Sequence, residues 1–246
     1  MISLQDRNIV IVGGGSGLGW AAAELAVQLG ARVVVADVDA QTVEMVETLG
    51  PRATFAACDA REPSQVDALF SLTAKKHGGI DGVLTTVGGA HLCALEGLDL
   101  AAWNAELAFN LTSVYVVCKG ALPHLKRRGG GALVTTSSGY AILAGTDRMG
   151  YTAAKAGVIA FTRSFAKEAA GYRVRANCIA PGPIDTPRFR AMNGGDAGVE
   201  RVRQGMPLGS IPQPIDIART AMFLLSDAAA QITGQVIHVN GGLLMP

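Results

Sequence analysis

Short runs of apolar, mostly β-branched residues alternate along the chain with longer segments in which apolar residues recur every three or four positions. The short runs predict strands and the longer segments predict helices, an alternation typical of βαβ units around a parallel sheet. Strands are predicted over 7–12, 32–37, 52–57, 81–86, 131–137, 173–179 and 234–239. Helices are predicted over 17–29, 39–49, 62–77, 99–128 with a break, 150–170 and 214–226.

The strand segments are continuously apolar, which indicates burial on both faces of the sheet. We therefore expect a doubly wound, Rossmann-type α/β fold, in which a mostly parallel seven-stranded sheet lies between two layers of helices. No segment has the composition of a linker, so residues 1–246 are expected to form a single domain. The alternation stops over 181–213, a proline-rich stretch that predicts an irregular loop, and we expect 183–213 to bind the substrate.

The composition excludes several function classes. Lys and Arg number 21 against 20 Asp and Glu, a formal charge of +1 without a basic run, which argues against nucleic acid or an anionic membrane as the partner. The four cysteines are far apart and form no Cys-x-x-Cys pair, so neither a metal site nor a disulfide framework is expected. The N-terminal residues lack the layout of a secretory signal and no stretch is apolar enough to span a bilayer, so a cytoplasmic location is expected.

A glycine-rich turn follows the first predicted strand and leads into a helix. Gly13, Gly17 and Gly19 have the spacing Gly-x-x-x-Gly-x-Gly. Glycines at this junction let the backbone turn sharply and approach a pyrophosphate, whose charge then lies at the helix N-terminus among unpaired N–H groups. An ordinary strand-to-helix turn would also use glycines, so this motif alone does not decide the function.

The second predicted strand ends at Asp37, where a dinucleotide-binding fold places the acid that binds the adenosine ribose hydroxyls. A carboxylate at this position would repel a 2′-phosphate. Neither Val38 nor Asp39 nor Ser16 is basic, so NAD is favoured over NADP. Asp37 could also serve as the N-cap of the 39–49 helix.

Tyr151 and Lys155 are four residues apart on a predicted helix, so both side chains project from one face. A phenol with a pKa near 10 is a weak base at neutral pH. A fixed ammonium at Lys155 would stabilise the phenolate of Tyr151. Strand five ends in 135–138, a run of Thr and Ser at the sheet edge where doubly wound folds bind ligands.

Together these motifs resemble the short-chain dehydrogenases/reductases of the compact, single-domain kind, over essentially the whole chain. In that family the glycine turn has the spacing found here, and a Ser lies thirteen residues before the Tyr of a Tyr-x-x-x-Lys pair. The resemblance implies a catalytic set of Asn110, Ser138, Tyr151 and Lys155. Tyr151 would be the general base or acid, Ser138 would hold the substrate oxygen, Lys155 would also hold the nicotinamide ribose, and Asn110 would position a water for proton relay.

The resemblance also implies the residues that bind NAD and those that bind the substrate. The expected cofactor-binding residues are Gly13, Gly15, Ser16, Gly17, Leu18, Gly19, Asp37, Val38, Cys58, Asp59, Ala60, Val87, Gly88, Tyr151, Lys155, Pro181, Gly182, Ile184 and Thr186. The expected substrate pocket is lined by Gly89, His91, Ser138, Tyr140, Leu143, Gly145, Pro183, Phe189 and Met192. This mostly apolar lining favours an apolar, cyclic or aromatic secondary alcohol.

Four arginines, Arg188, Arg190, Arg201 and Arg203, lie in the predicted substrate loop. They could bind an acidic substrate, but Asp196 and Glu200 lie among them, which favours a solvated face.

The sequence departs from the family at two places. Relatives usually have Thr at the position of Val12 and Asn-Asn-Ala-Gly where this chain has Thr85-Thr86-Val87-Gly88. In relatives the Thr hydroxyl bonds the backbone of the Asn-Asn-Ala-Gly segment. Here we expect apolar contact and Thr hydroxyls to replace that tie.

Three functions are open at this point. The favoured one is an NAD-dependent dehydrogenase acting on a secondary alcohol or its ketone. The others are a 3-oxoacyl reductase-type enzyme and a dinucleotide-binding regulatory protein with little turnover. The resemblance implies a homotetramer, in which the 99–128 and 150–170 helices would pair between subunits, while the sequence itself leaves a dimer open as the alternative.

Overall fold

A seven-stranded parallel sheet forms the centre of the protein in a computed structural model that describes residues 2–246. The strand order is β3-β2-β1-β4-β5-β6-β7. The strands are β1 (Asn8–Val12), β2 (Arg32–Asp37), β3 (Ala53–Ala57), β4 (Gly82–Thr85), β5 (Gly131–Thr136), β6 (Val174–Pro181) and β7 (Val236–Val239). Every pairing in this sheet is parallel. The doubly wound fold predicted from the sequence is thus confirmed.

Helices cover both faces of the sheet. They are α1 (Gly17–Gln28), α2 (Thr42–Glu47), α3 (Pro63–His77), α4 (Leu100–Leu107), α5 (Ser113–Arg128), α6 (Tyr140–Leu143), α7 (Met149–Ala169), α8 (Pro187–Met192), α9 (Asp196–Gln204) and α10 (Pro214–Leu225). One buried apolar cluster includes side chains of α3, α5 and α7, and a second, on the other face, includes those of α1 and α10. The molecule is therefore a three-layer α/β/α domain with two cores.

The break expected within 99–128 is a π-helical segment, Ala108–Thr112, between α4 and α5. A π turn widens the helix by one residue and leaves the regular bonding pattern, which often marks a functional position. Asn110 lies at the middle of this segment and is fully buried.

The prediction of an irregular loop over 181–213 is wrong in part. The stretch begins with the end of β6 and contains the short helices α8 and α9. Pro187 is compatible with the first turn of a helix, because the N–H groups of that turn make no hydrogen bond within the helix and proline has no N–H. The hydroxyl of Thr186 caps α8 by accepting a hydrogen bond from the N–H of Phe189. Proline thus starts this helix, whereas the composition alone indicated a loop.

The order of the strands places the functional loops together. The direction of winding reverses between β1 and β4, so the turn after β1 and the segment after β4 lie side by side at the carboxyl edge of the sheet. Because β5 pairs in parallel with β4, the segment after β5 lies at the same edge of the sheet. No helix among residues 2–246 is long and apolar enough to cross a membrane.

Candidate active site

In the glycine turn after β1, the backbone at Gly13 and Gly14 packs closely against Gly19 at the start of α1. Gly13 has a φ of +83°, and a Cβ on Gly19 would overlap the carbonyl oxygen of Gly13. Any larger residue would therefore push the turn away from α1. Ser16, the N-cap of α1, makes no side-chain capping bond, and the first turn of α1 carries no acidic residue. The N–H groups at this helix end are thus available to an anion such as a pyrophosphate.

Asp37 lies at the end of β2 directly beside the glycine turn. Its Oδ2 accepts a hydrogen bond from the backbone N–H of Gly15 at 2.8 Å, and its Oδ1 accepts from the N–H of Asp39 at 3.1 Å. Helix α2 begins at Thr42 and its N-cap is Gln41. The alternative role of Asp37 as the helix N-cap is therefore wrong, because the helix starts later than its apolar pattern indicated.

Thr86 replaces the tie that relatives make with a Thr at the position of Val12. Its hydroxyl donates to the carbonyl of Gly13 at 2.8 Å and approaches that of Val12 at 3.2 Å. The neighbouring Thr85 is buried, but its hydroxyl has no hydrogen-bond partner among the described residues. One of the two Thr hydroxyls thus connects the segment after β4 to the glycine turn.

The other expected cofactor-binding residues lie along the same edge of the sheet. Cys58 is buried after β3, and burial raises the pKa of its thiol to about 11, so it is a packing residue rather than a nucleophile. The carboxylate of Asp59 is bound by the guanidinium of Arg61 at 2.6 and 2.9 Å. Ala60 and Leu18 are buried, Val38 is exposed, and Val87, Gly182, Ile184 and Thr186 are partly buried.

The two candidate proton-transfer residues meet at the start of α7. The Lys155 side chain is 2% exposed, and its Nζ lies 5.8 Å from the centroid of the Tyr151 ring. Nζ donates to the carbonyl of Thr136 at 2.9 Å, and the hydroxyl of Ser137 donates to the backbone carbonyl of Lys155 at 2.7 Å. The end of β5 therefore fixes α7 against the sheet.

Burial controls the charge state of this pair. It raises the pKa of Tyr151, whereas a hydrogen bond with Ser138 and the positive charges of Arg188 and Arg148 lower it. It also lowers the pKa of Lys155 to about 8, so the ammonium form predominates at pH 7. Ser138 and the two arginines thus oppose the effect of burial on the pKa of the phenol, a contribution that was not predicted from the sequence.

Both the oxygen and the nitrogen of the Asn110 side-chain amide make hydrogen bonds. Its Oδ1 accepts from the N–H of Gly89 at 2.9 Å, and its Nδ2 donates to the carboxylate of Glu106 at 2.9 Å. The other oxygen of Glu106 accepts from the N–H of His91 at 2.9 Å. Glu106 was not predicted from the sequence, although its position one turn before Asn110 on the same helix was a usable signal.

The expected substrate-pocket residues are not all gathered around one cavity. A cavity of about 360 Å³ lies between α4 and the start of α7 and includes His91, Glu106 and Arg148 in its lining. The other expected pocket residues do not line it. A Cβ on Gly89 would meet the guanidinium of Arg188, and one on Gly145 would meet the side chain of Arg148. Tyr140, Leu143 and Met192 are exposed, and Pro183 and Phe189 are partly buried.

Comparison with known proteins identifies the family. A family model described as enoyl-(acyl carrier protein) reductase matches residues 13–244. A 3-oxoacyl-(acyl-carrier-protein) reductase FabG from Chlamydia trachomatis is 30% identical over 245 residues and covers 98% of both chains. The chain belongs to the short-chain dehydrogenase/reductase family. Its members are oxidoreductases that use a nicotinamide cofactor, so the family resemblance predicted from the motifs is confirmed.

Further relatives within this family differ in the substrates for which they are named. The chain is similar to a cis-4-hydroxycyclohexanecarboxylate dehydrogenase from Sinomonas cyclohexanicum, with 35% identity over 98% of this chain and 97% of the relative. It is 31% identical to a 2,5-dichloro-2,5-cyclohexadiene-1,4-diol dehydrogenase from Sphingobium indicum, with 98% of each covered. The structure is also similar to the crystal structure of a protein from Burkholderia xenovorans described as a short-chain dehydrogenase/reductase. The two superpose with a TM-score of 0.89 at 32% sequence identity, over 98% of this chain and 97% of the other.

Proposed function

We propose that this protein is an NAD-dependent dehydrogenase that oxidises a secondary alcohol to a ketone, with Tyr151 as the general base. The observation that carries the proposal is the placement of Tyr151 near both Ser138 and the buried Lys155, whose Nζ lies 5.8 Å from the ring centroid. Removing a proton from an alcohol oxygen needs a base within hydrogen-bond reach, and a phenol fills that role where nearby positive charge stabilises its anion.

The residues of the glycine turn fit a dinucleotide. The uncapped start of α1 would hold the pyrophosphate, and Asp37 would accept from the adenosine ribose hydroxyls while Gly15 fixes its carboxylate. The bound nicotinamide supplies the acceptor for the hydride that leaves the carbinol carbon. Asp37 favours NAD because a carboxylate repels a 2′-phosphate.

The proton follows a path through the chain's own side chains. Ser138 donates a hydrogen bond to the alcohol oxygen and orients it toward Tyr151, whose phenolate takes the proton. Lys155 is protonated at neutral pH, and its positive charge would stabilise that phenolate. Asn110, fixed by Gly89 and Glu106, holds the π-helical segment beside Lys155, where a water would pass the proton outward.

The substrate of this reaction is a secondary alcohol on a ring. Two relatives are named for dehydrogenation of hydroxyl groups on six-membered rings. The partly buried Phe189 and the exposed Tyr140 and Leu143 would supply apolar contacts to such a ring. The 183–213 segment, which carries Phe189, would then form one wall of the substrate site.

Reduction of a 3-oxoacyl thioester is the second candidate, because several relatives at 30–31% identity are named as FabG. The same residues would catalyse the reverse reaction, in which Tyr151 donates its proton to the ketone oxygen. Comparison of cyclohexanol oxidation with acetoacetyl thioester reduction, at equal enzyme concentration, distinguishes the two. Absence of turnover in either direction, with retained NADH binding, would instead support the regulatory alternative.

The cofactor assignment has a direct test. We expect wild-type protein to form NADH from ring alcohols with a kcat/KM for NAD at least 10-fold above that for NADP, and Asp37→Ala to lose this preference. Asp39→Asn is the matched control, because Asp39 lies two residues away and makes no bond to Gly15. Equal use of NAD and NADP by wild-type protein would contradict the assignment.

We also retain the homotetramer and the cytoplasmic location as proposals. Phe109 and Tyr115 expose large parts of their rings on the π-helical segment and α5, a surface that a second subunit would cover. All four cysteines are free thiols, which fits a reducing compartment. Light scattering of purified protein measures the subunit number, and a monomeric mass would contradict the tetramer.

A further inference from the structure

The arginines of the substrate loop fall into two groups. Arg190 binds the carboxylates of Asp185 and Asp196 at 2.6 and 2.7 Å, and Arg203 binds Glu200 at 2.6 Å. Arg188 and Arg201 have no carboxylate within 4.0 Å among residues 2–246. All four side chains are exposed, as the solvated face predicted from the sequence requires, but Arg188 also bonds the segment after β4, at Ala90.

Arg188 lies against the segment that leaves β4 toward the catalytic residues. Its Nη2 donates to the carbonyl of Ala90 at 2.7 Å, and a Cβ on Gly89 would come within 2.5 Å of its Nη1. A Cβ on Gly88, one residue earlier, would come within 2.7 Å of Nζ of Lys155. The Arg188 guanidinium and the buried Lys155 ammonium thus lie against two adjacent glycines of this segment.

Arg148 approaches the same region from the start of α7. Its Nε donates to the carbonyl of Thr146 at 3.1 Å, and its guanidinium carbon lies 4.3 Å from the centroid of the Tyr140 ring. Arg148 lines the 360 Å³ cavity, and its terminal nitrogens have no hydrogen-bond partner in the part of the chain that the structure describes. Like Arg188, it has no carboxylate within 4.0 Å there.

Both guanidinium groups act electrostatically at the reacting phenol, since each lowers the pKa of Tyr151. The acidic groups nearby are already bonded. Glu106 is bound by Asn110 and by the N–H of His91, and Asp185 is bound by Arg190 and Gln213. Two guanidinium groups without a carboxylate partner among the described residues therefore lie close enough to the phenol to affect its pKa.

We propose that the substrate carries a carboxylate in addition to its secondary hydroxyl, and that Arg188 and Arg148 bind this group at the mouth of the Tyr151 site. The inference rests on the proposed function and deepens it by naming the charge of the substrate. A guanidinium presents paired N–H groups that match the two oxygens of a carboxylate, and such charge-assisted bonds are stronger than bonds between neutral groups. Arg188 and Arg148 thereby select for anionic alcohols.

The test compares three alcohols with NAD: 4-hydroxycyclohexanecarboxylate, its methyl ester and cyclohexanol. For wild-type protein we expect a kcat/KM at least 10-fold higher for the carboxylate than for the ester. Arg188→Gln and Arg148→Gln should each lose about 10-fold more kcat/KM on the carboxylate than on the two neutral alcohols, mainly through KM, because one charge-assisted bond is removed. Loss of the positive charge that lowers the pKa of Tyr151 affects all three alcohols alike and cancels in this ratio. Arg201→Gln is the matched control, since Arg201 is exposed on α9 and has no carboxylate within 4.0 Å among the described residues.

Equal losses on all three alcohols, or an ester preferred over the carboxylate, would overturn the inference. A weaker binding of NAD in Arg188→Gln, with unchanged discrimination among alcohols, would also overturn it by assigning Arg188 to the cofactor. Turnover of neutral alcohols that depends on Tyr151, without any advantage for the carboxylate, leaves the proposed function standing and rejects this inference alone.

A binding measurement separates the inference from catalysis. Cyclohexanecarboxylate has no hydroxyl to oxidise, so calorimetry with NADH-loaded protein reports only recognition of the carboxylate. We expect its dissociation constant to rise about 10-fold in Arg188→Gln and to be unchanged in Arg201→Gln. Binding that is equal in both variants, or undetectable in wild-type protein at millimolar ligand, contradicts the proposal.

Discussion

The carboxylate of Glu106 accepts a hydrogen bond from the side-chain amide of Asn110 at 2.9 Å, one turn further along the same helix. Because Glu106 also binds the N–H of His91, it joins the π-helical segment to the loop after β4. This carboxylate is 9% exposed and raises the pKa of Tyr151. Glu106 is therefore a positioning residue with an electrostatic effect on the base.

Replacement of Glu106 by Gln should move the pH dependence of alcohol oxidation. The amide oxygen of Gln can still accept one of the two hydrogen bonds, but its negative charge is gone, so the pKa of Tyr151 falls. We expect the acidic limb of the pH profile of kcat/KM to shift to lower pH in Glu106→Gln. An unchanged or higher apparent pKa would show that Glu106 has only a structural role.

The two threonines after β4 form a matched pair for mutation. Thr86→Val removes the hydroxyl that bonds the carbonyl of Gly13, so we expect a loss of about 1 kcal/mol in the free energy of unfolding and weaker NAD binding. Thr85→Val removes a buried hydroxyl without a hydrogen-bond partner among the described residues, and should be neutral or stabilising. Chemical denaturation and calorimetric titration with NAD measure both effects. A larger loss of stability or of NAD affinity in Thr85→Val than in Thr86→Val would contradict the assigned contacts.

Adjacent glycines after β4 should respond differently to substitution by alanine. Gly88 has a φ of +140°, and a Cβ there would lie 2.6 Å from Oδ1 of Asn110, which is fixed on every side. We expect Gly88→Ala to lower kcat/KM by at least 100-fold. At Gly89 the three atoms nearest to an added Cβ all belong to the guanidinium of Arg188, the far end of a flexible side chain, so Gly89→Ala should lower kcat/KM for neutral alcohols much less than Gly88→Ala does. An equal loss of kcat/KM in both variants, measured in a steady-state assay, would contradict this account.

Lys155 should lower the stability of the free protein at neutral pH. Its pKa in the folded protein is about 8 against 10.5 for the ordinary side chain, so burying the ammonium at pH 7 costs roughly 3 kcal/mol, partly offset by the bond to Thr136. We expect Lys155→Met to have a free energy of unfolding about 1–3 kcal/mol higher at pH 7 while losing activity.

The same substitution gives a pH dependence with a definite sign. Between pH 8 and 10.5 the unfolded chain keeps the Lys155 proton and the folded protein loses it, so wild-type stability rises with pH relative to the variant. The advantage of Lys155→Met measured by denaturation should therefore shrink from pH 8 to pH 10. A constant difference across that range would mean that the pKa of Lys155 is not lowered.

The sheet was predictable because its signals are local. Continuous apolar runs such as 32–37 predicted buried parallel strands, and β2 occupies the same residues. Helices α8 and α9 were missed because they are short and prolines and glycines lie before, between and after them, although Pro187 is well suited to a helix start. Apolar periodicity does not report where such a short helix begins.

The candidate site was predicted where its residues follow a spaced motif. Tyr151 and Lys155 are one helical turn apart, and their meeting with Ser138 follows from the strand order. Arg190 binds the carboxylate of Asp185, whereas Arg188 binds the backbone carbonyl of Ala90, and the spacing of residues in the sequence does not encode this difference in packing. Glu106 likewise gains its role from a contact with His91 in a different segment.

The central claim is that the hydroxyl of Tyr151 takes the proton from an alcohol while NAD is reduced. Its most direct test is the rate of NADH formation from ring alcohols by wild-type protein, Tyr151→Phe and Tyr115→Phe, a control with an exposed ring on α5. We predict a loss of at least 1,000-fold in kcat for Tyr151→Phe, with NADH binding retained, and no change for Tyr115→Phe. Equal rates in wild-type protein and Tyr151→Phe would contradict the account.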